Sequence, residues 1–156
     1  AYDKFLEALN FVNTYLARTM AGDGEGATAL FETVVYNADT KSNARTLAKS
    51  VVGSSLCKAA LYGHDANFGR FLCALGYSGG QFDPERVTLY FESKAGKLKI
   101  CENGLDAGYS EEEATRILSE PEVTVLVDMN MGSETATAWG CDLTYDYVKI
   151  NADYRS

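Results

Sequence analysis

At 156 residues, 46% apolar and 23% charged, the chain has an ordinary globular composition and is long enough to bury a core. Its net charge of −8, with the basic residues scattered, excludes a nucleic-acid binder, which needs a basic stripe to meet phosphates. No apolar run reaches the length that spans a bilayer and no signal peptide is read at the start, so no membrane contact and a cytoplasmic location are expected.

The elements follow in chain order. Phe5, Leu9, Val12, Leu16 and Met20 recur at spacings of three and four, which predicts a helix over about 3–21 with that row facing inward and Asp3 capping it. The glycine-rich bend 22–26 ends it. A strand is expected over 29–36, a helix over 42–52, a short apolar strand over 57–62, and a helix over 68–75. Asp83-Pro84 breaks the chain. Residues 87–91 and 97–101 pair as strands through the Ala95-Gly96 turn. Ser110 with Glu113 makes a capping box that opens a helix through Leu118, stopped by Pro121. Alternating apolar residues predict a strand over 123–129, and Gly132-Ser133 turns the chain into another over 135–143. Asp142 to Thr144 then cap a last helix through Tyr145, Val148 and Lys149. Late strands come in pairs without helical crossovers, so the expected fold is α+β, helices layered on mixed or antiparallel sheets, with residues 1–156 as one domain.

Three places concentrate chemistry. Gly22 to Ala27 has the glycines of a dinucleotide fingerprint, but that motif follows a strand and opens a helix, and here the order is reversed. A carboxylate at Glu25, held on a tight backbone, is instead a suitable receptor for an ammonium. His64 is the single histidine, with no nucleophile motif around it, while Asp65 and Asn67 read as helix-capping residues and Arg70 as an ion partner. Residues 139–156 hold Trp139, Tyr145, Tyr147 and Tyr154, rings that bury area while keeping a polar handle, so this terminus is expected to dock on the body. Cys57, Cys73, Cys101 and Cys141 are far apart and read as reduced, buried thiols. Asp128, Asp142, Asp146 and Asp153 lack metal-loop spacing and read as caps and solvated acids, so no metal is expected.

Asp23 to Thr28 (DGEGAT), the run from Gly63 to Arg70 containing NFGR, Gly76-Tyr77-Ser78-Gly79 and the closing DLTYDYVKINADYRS together resemble the ornithine acetyltransferase family, the bifunctional glutamate N-acetyltransferases of arginine biosynthesis. The family usually ends in threonine where this chain has Ser156, and its histidine and phenylalanine positions near residue 64 and Phe68 are commonly acidic and tryptophan. The resemblance covers the chain and corresponds to the C-terminal part of the family's β chain. It implies acetyl transfer from N-acetylornithine to glutamate through an acetyl-threonine, with acetyl-coenzyme A as a further donor in bifunctional members and no bound cofactor.

Glu25, Asn151 and Ser156 are the substrate-binding residues that the resemblance implies, and an amide and a hydroxyl suit that role because each both donates and accepts. The nucleophilic threonine, freed by self-cleavage, and the oxyanion-stabilising pair are implied to lie outside this sequence, so no catalytic residue is assigned here and the chain alone is expected to be inactive. The implied partners are the α chain and the N-terminal part of the β chain, in a heterotetramer. Two other readings stand beside this one: an aminopeptidase-like self-cleaving hydrolase, and a non-catalytic amino-acid-binding or association module.

Overall fold

A computed structural model describes residues 1–154. The element order is α1 (Tyr2–Gly22), β1 (Leu30–Ala38), α2 (Lys41–Gly53), α3 (Ser55–Tyr62), α4 (Phe68–Gly76), a 3₁₀ turn Pro84–Arg86, β2 (Thr88–Ser93), β3 (Gly96–Glu102), β4 (Leu105–Asp106), α5 (Glu111–Leu118), β5 (Glu122–Asp128), β6 (Glu134–Cys141) and α6 (Tyr145–Asp153). The strands form a six-stranded mixed sheet in the order β4-β3-β2-β5-β1-β6. The fold is α+β, as expected.

Alternation along the strands sends one set of side chains into the core. Phe31 and Val35, then Val123, Val125 and Val127, then Leu89 and Phe91 are fully or almost fully buried. The apolar stripes of α2, α3, α4 and α5 join the same cluster. Phe71 of α4 meets Phe31 and Phe91 edge to face, with ring centroids 6.4 and 5.2 Å apart, and so ties helix layer to sheet. The other sheet face, with Glu32, Val34, Tyr36, Leu126, Tyr90 and Trp139, stays half-buried.

Several sequence expectations are corrected. Residues 57–62 lie in helix α3, not a strand: Cys57, Ala60 and Leu61 are buried at helical spacing, and the Ser54 hydroxyl accepts from the Cys57 N–H. β5 and β6 are consecutive but not paired, because β1 lies between them, parallel to β5 and antiparallel to β6. The row Phe5, Leu9, Val12, Leu16 and Met20 is exposed rather than inward, and α1 buries no residue. Ala1 takes the position before α1, and no side chain caps it, so Asp3 sits in the first turn without capping. Cys57 and Cys101 are buried, but Cys73 is exposed and Cys141 half-buried. The terminal aromatics are mostly outside: α6 buries no residue, and Tyr145 and Tyr154 stand 80% and 78% exposed. Trp139 alone of the four lies half-buried, its indole N–H donating to Glu32.

Candidate functional site

The site is built where the first bend meets the start of the last helix. Helix α1 closes with the Asp23 N–H on Thr19 O at 3.0 Å, and the Ala27 N–H returns to Gly24 O at 3.0 Å, which folds the chain tightly around Glu25. Two glycines admit the neighbouring segment. A Cβ on Gly24 would stand 2.5 Å from Cys141 Sγ, and one on Gly26, whose φ is +69°, would stand 2.8 Å from the Tyr147 backbone nitrogen. Their smallness therefore lets residues 141–147 pass directly behind Glu25.

Residues 142 and 144 grip the bend from that side. Asp142 is 3% exposed, and its carboxylate accepts from the Thr28 N–H at 2.8 Å, the Ala29 N–H at 3.1 Å and the Thr28 hydroxyl. The Asp142 N–H donates to Ala29 O at 3.1 Å, extending the β1–β6 ladder by one bond. The buried Thr144 hydroxyl donates to Gly26 O at 2.6 Å and accepts from the Tyr147 N–H at 3.2 Å, so it caps α6 and holds the bend with one group.

The first bend and the last helix meet in a side-chain contact. Asn151 Nδ2 donates to Glu25 Oε2 at 2.7 Å and to Tyr147 O at 2.9 Å. Both partners are acceptors, which fixes the amide with its NH2 turned toward them. Among the described residues, Glu25 Oε1 and Asn151 Oδ1 take part in no hydrogen bond. Both side chains are exposed. The arrangement offers two oxygen acceptors on adjoining side chains, one of them carrying charge, which is the chemistry that receives an ammonium. Of the three residues singled out in sequence, Glu25 and Asn151 are thus brought together; Ser156 lies outside the described residues.

The ArgJ family matches the chain over residues 1–156. This chain belongs to the ArgJ family. An arginine biosynthesis bifunctional protein ArgJ of Caldanaerobacter subterraneus subsp. tengcongensis is 51% identical over 155 residues, 99% of this chain and 38% of that protein. A glutamate N-acetyltransferase of Methanothermobacter thermautotrophicus is 46% identical over 154 residues, 96% of this chain and 38% of that protein. A crystal structure of the arginine biosynthesis bifunctional protein argJ from Bacillus halodurans has a TM-score of 0.91 to this fold at 43% identity, covering 98% of this chain and 70% of that one. The chain spans well under half the length of the curated ArgJ relatives it matches.

In this ArgJ-family chain His64, Asn67, Arg70, Asp128 and Asp142 have partners of their own within the fold. His64 adopts φ +52° in the turn after α3, with Ser119 Oγ 3.4 Å from its Nδ1. The Asn67 side chain caps α4, accepting from the Arg70 N–H, and the Arg70 guanidinium lies 3.9 Å from Asp65 and donates to Leu56 O. Asp128 accepts from Asn37 Nδ2 at 2.8 Å and the Asn130 N–H at 3.0 Å. Asp142, read in sequence as a cap or solvated acid, is instead a buried anchor. Nothing in local sequence distinguishes it, because its partners Thr28 and Ala29 lie more than a hundred positions away.

Proposed function

We propose that this chain is the C-terminal, substrate-binding part of an ArgJ-family acetyltransferase, which moves an acetyl group from N-acetylornithine to glutamate through an acetyl-threonine formed outside these residues. Glu25 and Asn151, with Ser156 as a further hydroxyl, receive the polar ends of the amino-acid substrate without making or breaking its bonds. The carrying observation is the 2.7 Å hydrogen bond between Asn151 and Glu25, which joins residues 126 positions apart and, among the described residues, leaves one oxygen of each open to a donor. The match of the ArgJ family over the whole chain favours acetyl transfer over the aminopeptidase-like reading.

Residues 1–156 form one domain of a larger cytoplasmic enzyme, completed by the α chain and the N-terminal part of the β chain in a heterotetramer. Acetyl-coenzyme A, where used, enters as a second acetyl donor and therefore as a substrate.

The test is Glu25→Ala in the complete enzyme. Losing a charge-assisted hydrogen bond of about 1.5–3 kcal/mol raises KM for N-acetylornithine roughly ten- to a hundredfold, with kcat surviving in larger part. An unaltered KM contradicts the role given to Glu25.

A further inference from the structure

A buried carboxylate calls for a reason, because desolvating it is costly unless its oxygens are hydrogen-bonded. Asp142 is 3% exposed and spends both oxygens on residues 28 and 29, immediately after the bend that carries Glu25. Two residues later, Thr144 takes the Gly26 carbonyl, immediately after Glu25, and starts the helix that carries Asn151. The backbone bond from the Asp142 N–H to Ala29 O already closes the strand pair there. The carboxylate is surplus to that pairing. What it adds is a fixed relation between the bend and the strap 141–144, and through the strap to α6. Helix α6 buries no residue of its own, so its placement depends on such contacts at its N-terminal end. The same end is also held by the Leu143 N–H, which donates to Lys58 O at 3.2 Å, and by the edge-to-face pair of Tyr62 and Tyr145, with centroids 5.4 Å apart.

We propose that Asp142, working with Thr144, is a positioning residue for substrate binding: it clasps residues 26–29 to the start of α6 and so holds Glu25 and Asn151 at the separation that receives the substrate ammonium. The proposal rests on the reading of those two side chains as the substrate receptor. Asp142 touches no substrate. Its effect is on the geometry of two exposed groups, and displacement of about 1 Å in such a pair can lower efficiency by roughly a hundredfold.

The experiment uses the complete enzyme with N-acetylornithine and glutamate, following KM, kcat and Tm for Asp142→Ala, Asp142→Asn, Thr28→Val and Glu25→Gln. Asp142→Ala is expected to raise KM for N-acetylornithine about tenfold or more, with kcat within about threefold of the parent. Asp142→Asn recovers most of that loss, because its amide oxygen can still accept the two N–H groups while its NH2 donates to the Thr28 hydroxyl, turned to accept. Thr28→Val removes only the hydroxyl bond from an exposed side chain, and it carries the test where Asp142→Ala does not fold; a KM raised about three- to tenfold is expected. If Glu25→Gln raises KM while Asp142→Ala, or Thr28→Val in its place, leaves KM unchanged, the positioning role is wrong and the receptor stands. If Glu25→Gln leaves KM unchanged, the receptor reading itself fails. A fall in kcat and Tm with constant KM marks a structural role and overturns the proposal.

Discussion

Glu25 and Asn151 lie 126 positions apart, and their contact is framed by Gly24, Gly26, Asp142 and Thr144. Gly24 and Gly26 are small because Cys141 and Tyr147 pass within reach of any Cβ placed there. In the sequence, Glu25 and Asn151 are linked only by family motifs and by no local pattern; the fold joins them by a hydrogen bond. Asp142 shows the limit. A residue following a strand and preceding a threonine resembles a cap, and only the fold reveals that it faces Thr28 and Ala29. Thr33 gives a second residue-scale expectation. Its hydroxyl is fully buried and, among the described residues, without a hydrogen-bond partner. Thr33→Val keeps the β-branched shape and removes that cost, so stability should rise by about 1 kcal/mol, or roughly 2–4 °C in Tm for a chain of this size. Thermal melting of the two proteins checks this, and a Tm equal to or below the parent's contradicts it.

At the scale of elements, strong periodicity was read correctly and short or non-local features were not. The helices α2, α4 and α5 and the hairpin β2–β3 follow from stripes and turns in their own residues. Residues 57–62 of helix α3 suit a strand equally well, because a short and largely apolar run satisfies either period, although Ser54 at the helix head is a usable cap signal. Insertion of β1 between β5 and β6 is invisible locally, since the turn at Gly132 suits a hairpin equally well. Helix α1 has the right period and the opposite burial: Phe5 is 65% and Met20 76% exposed. An element that buries nothing opens readily. In the isolated chain, amide hydrogen exchange should therefore be faster along α1 than along α2, whose Ala44, Leu47, Ala48 and Val51 are fully buried. Equal protection of the two helices in the isolated chain would show that α1 is held by more than this fold displays.

At the scale of the molecule, α2 to α5 form a layer on one face of a mixed sheet, Arg18 of α1 pairs with Glu32 on the other, and the chain spans 38% of its curated relatives. The face bearing Val34, Tyr36, Leu126 and Tyr90 is half-open although these side chains are apolar or aromatic. On the proposed reading, that face and the apolar row of α1 meet the remainder of the enzyme. Glu25 and Asn151 form one exposed corner, to which, on the same reading, the rest of the enzyme brings the nucleophile. The most direct measurement is a crystal structure of the complete enzyme with ornithine bound. The account predicts an ammonium nitrogen of ornithine about 3 Å from Glu25 Oε1 and Asn151 Oδ1. Ornithine seated elsewhere, with these two side chains bonded only to each other, would contradict it.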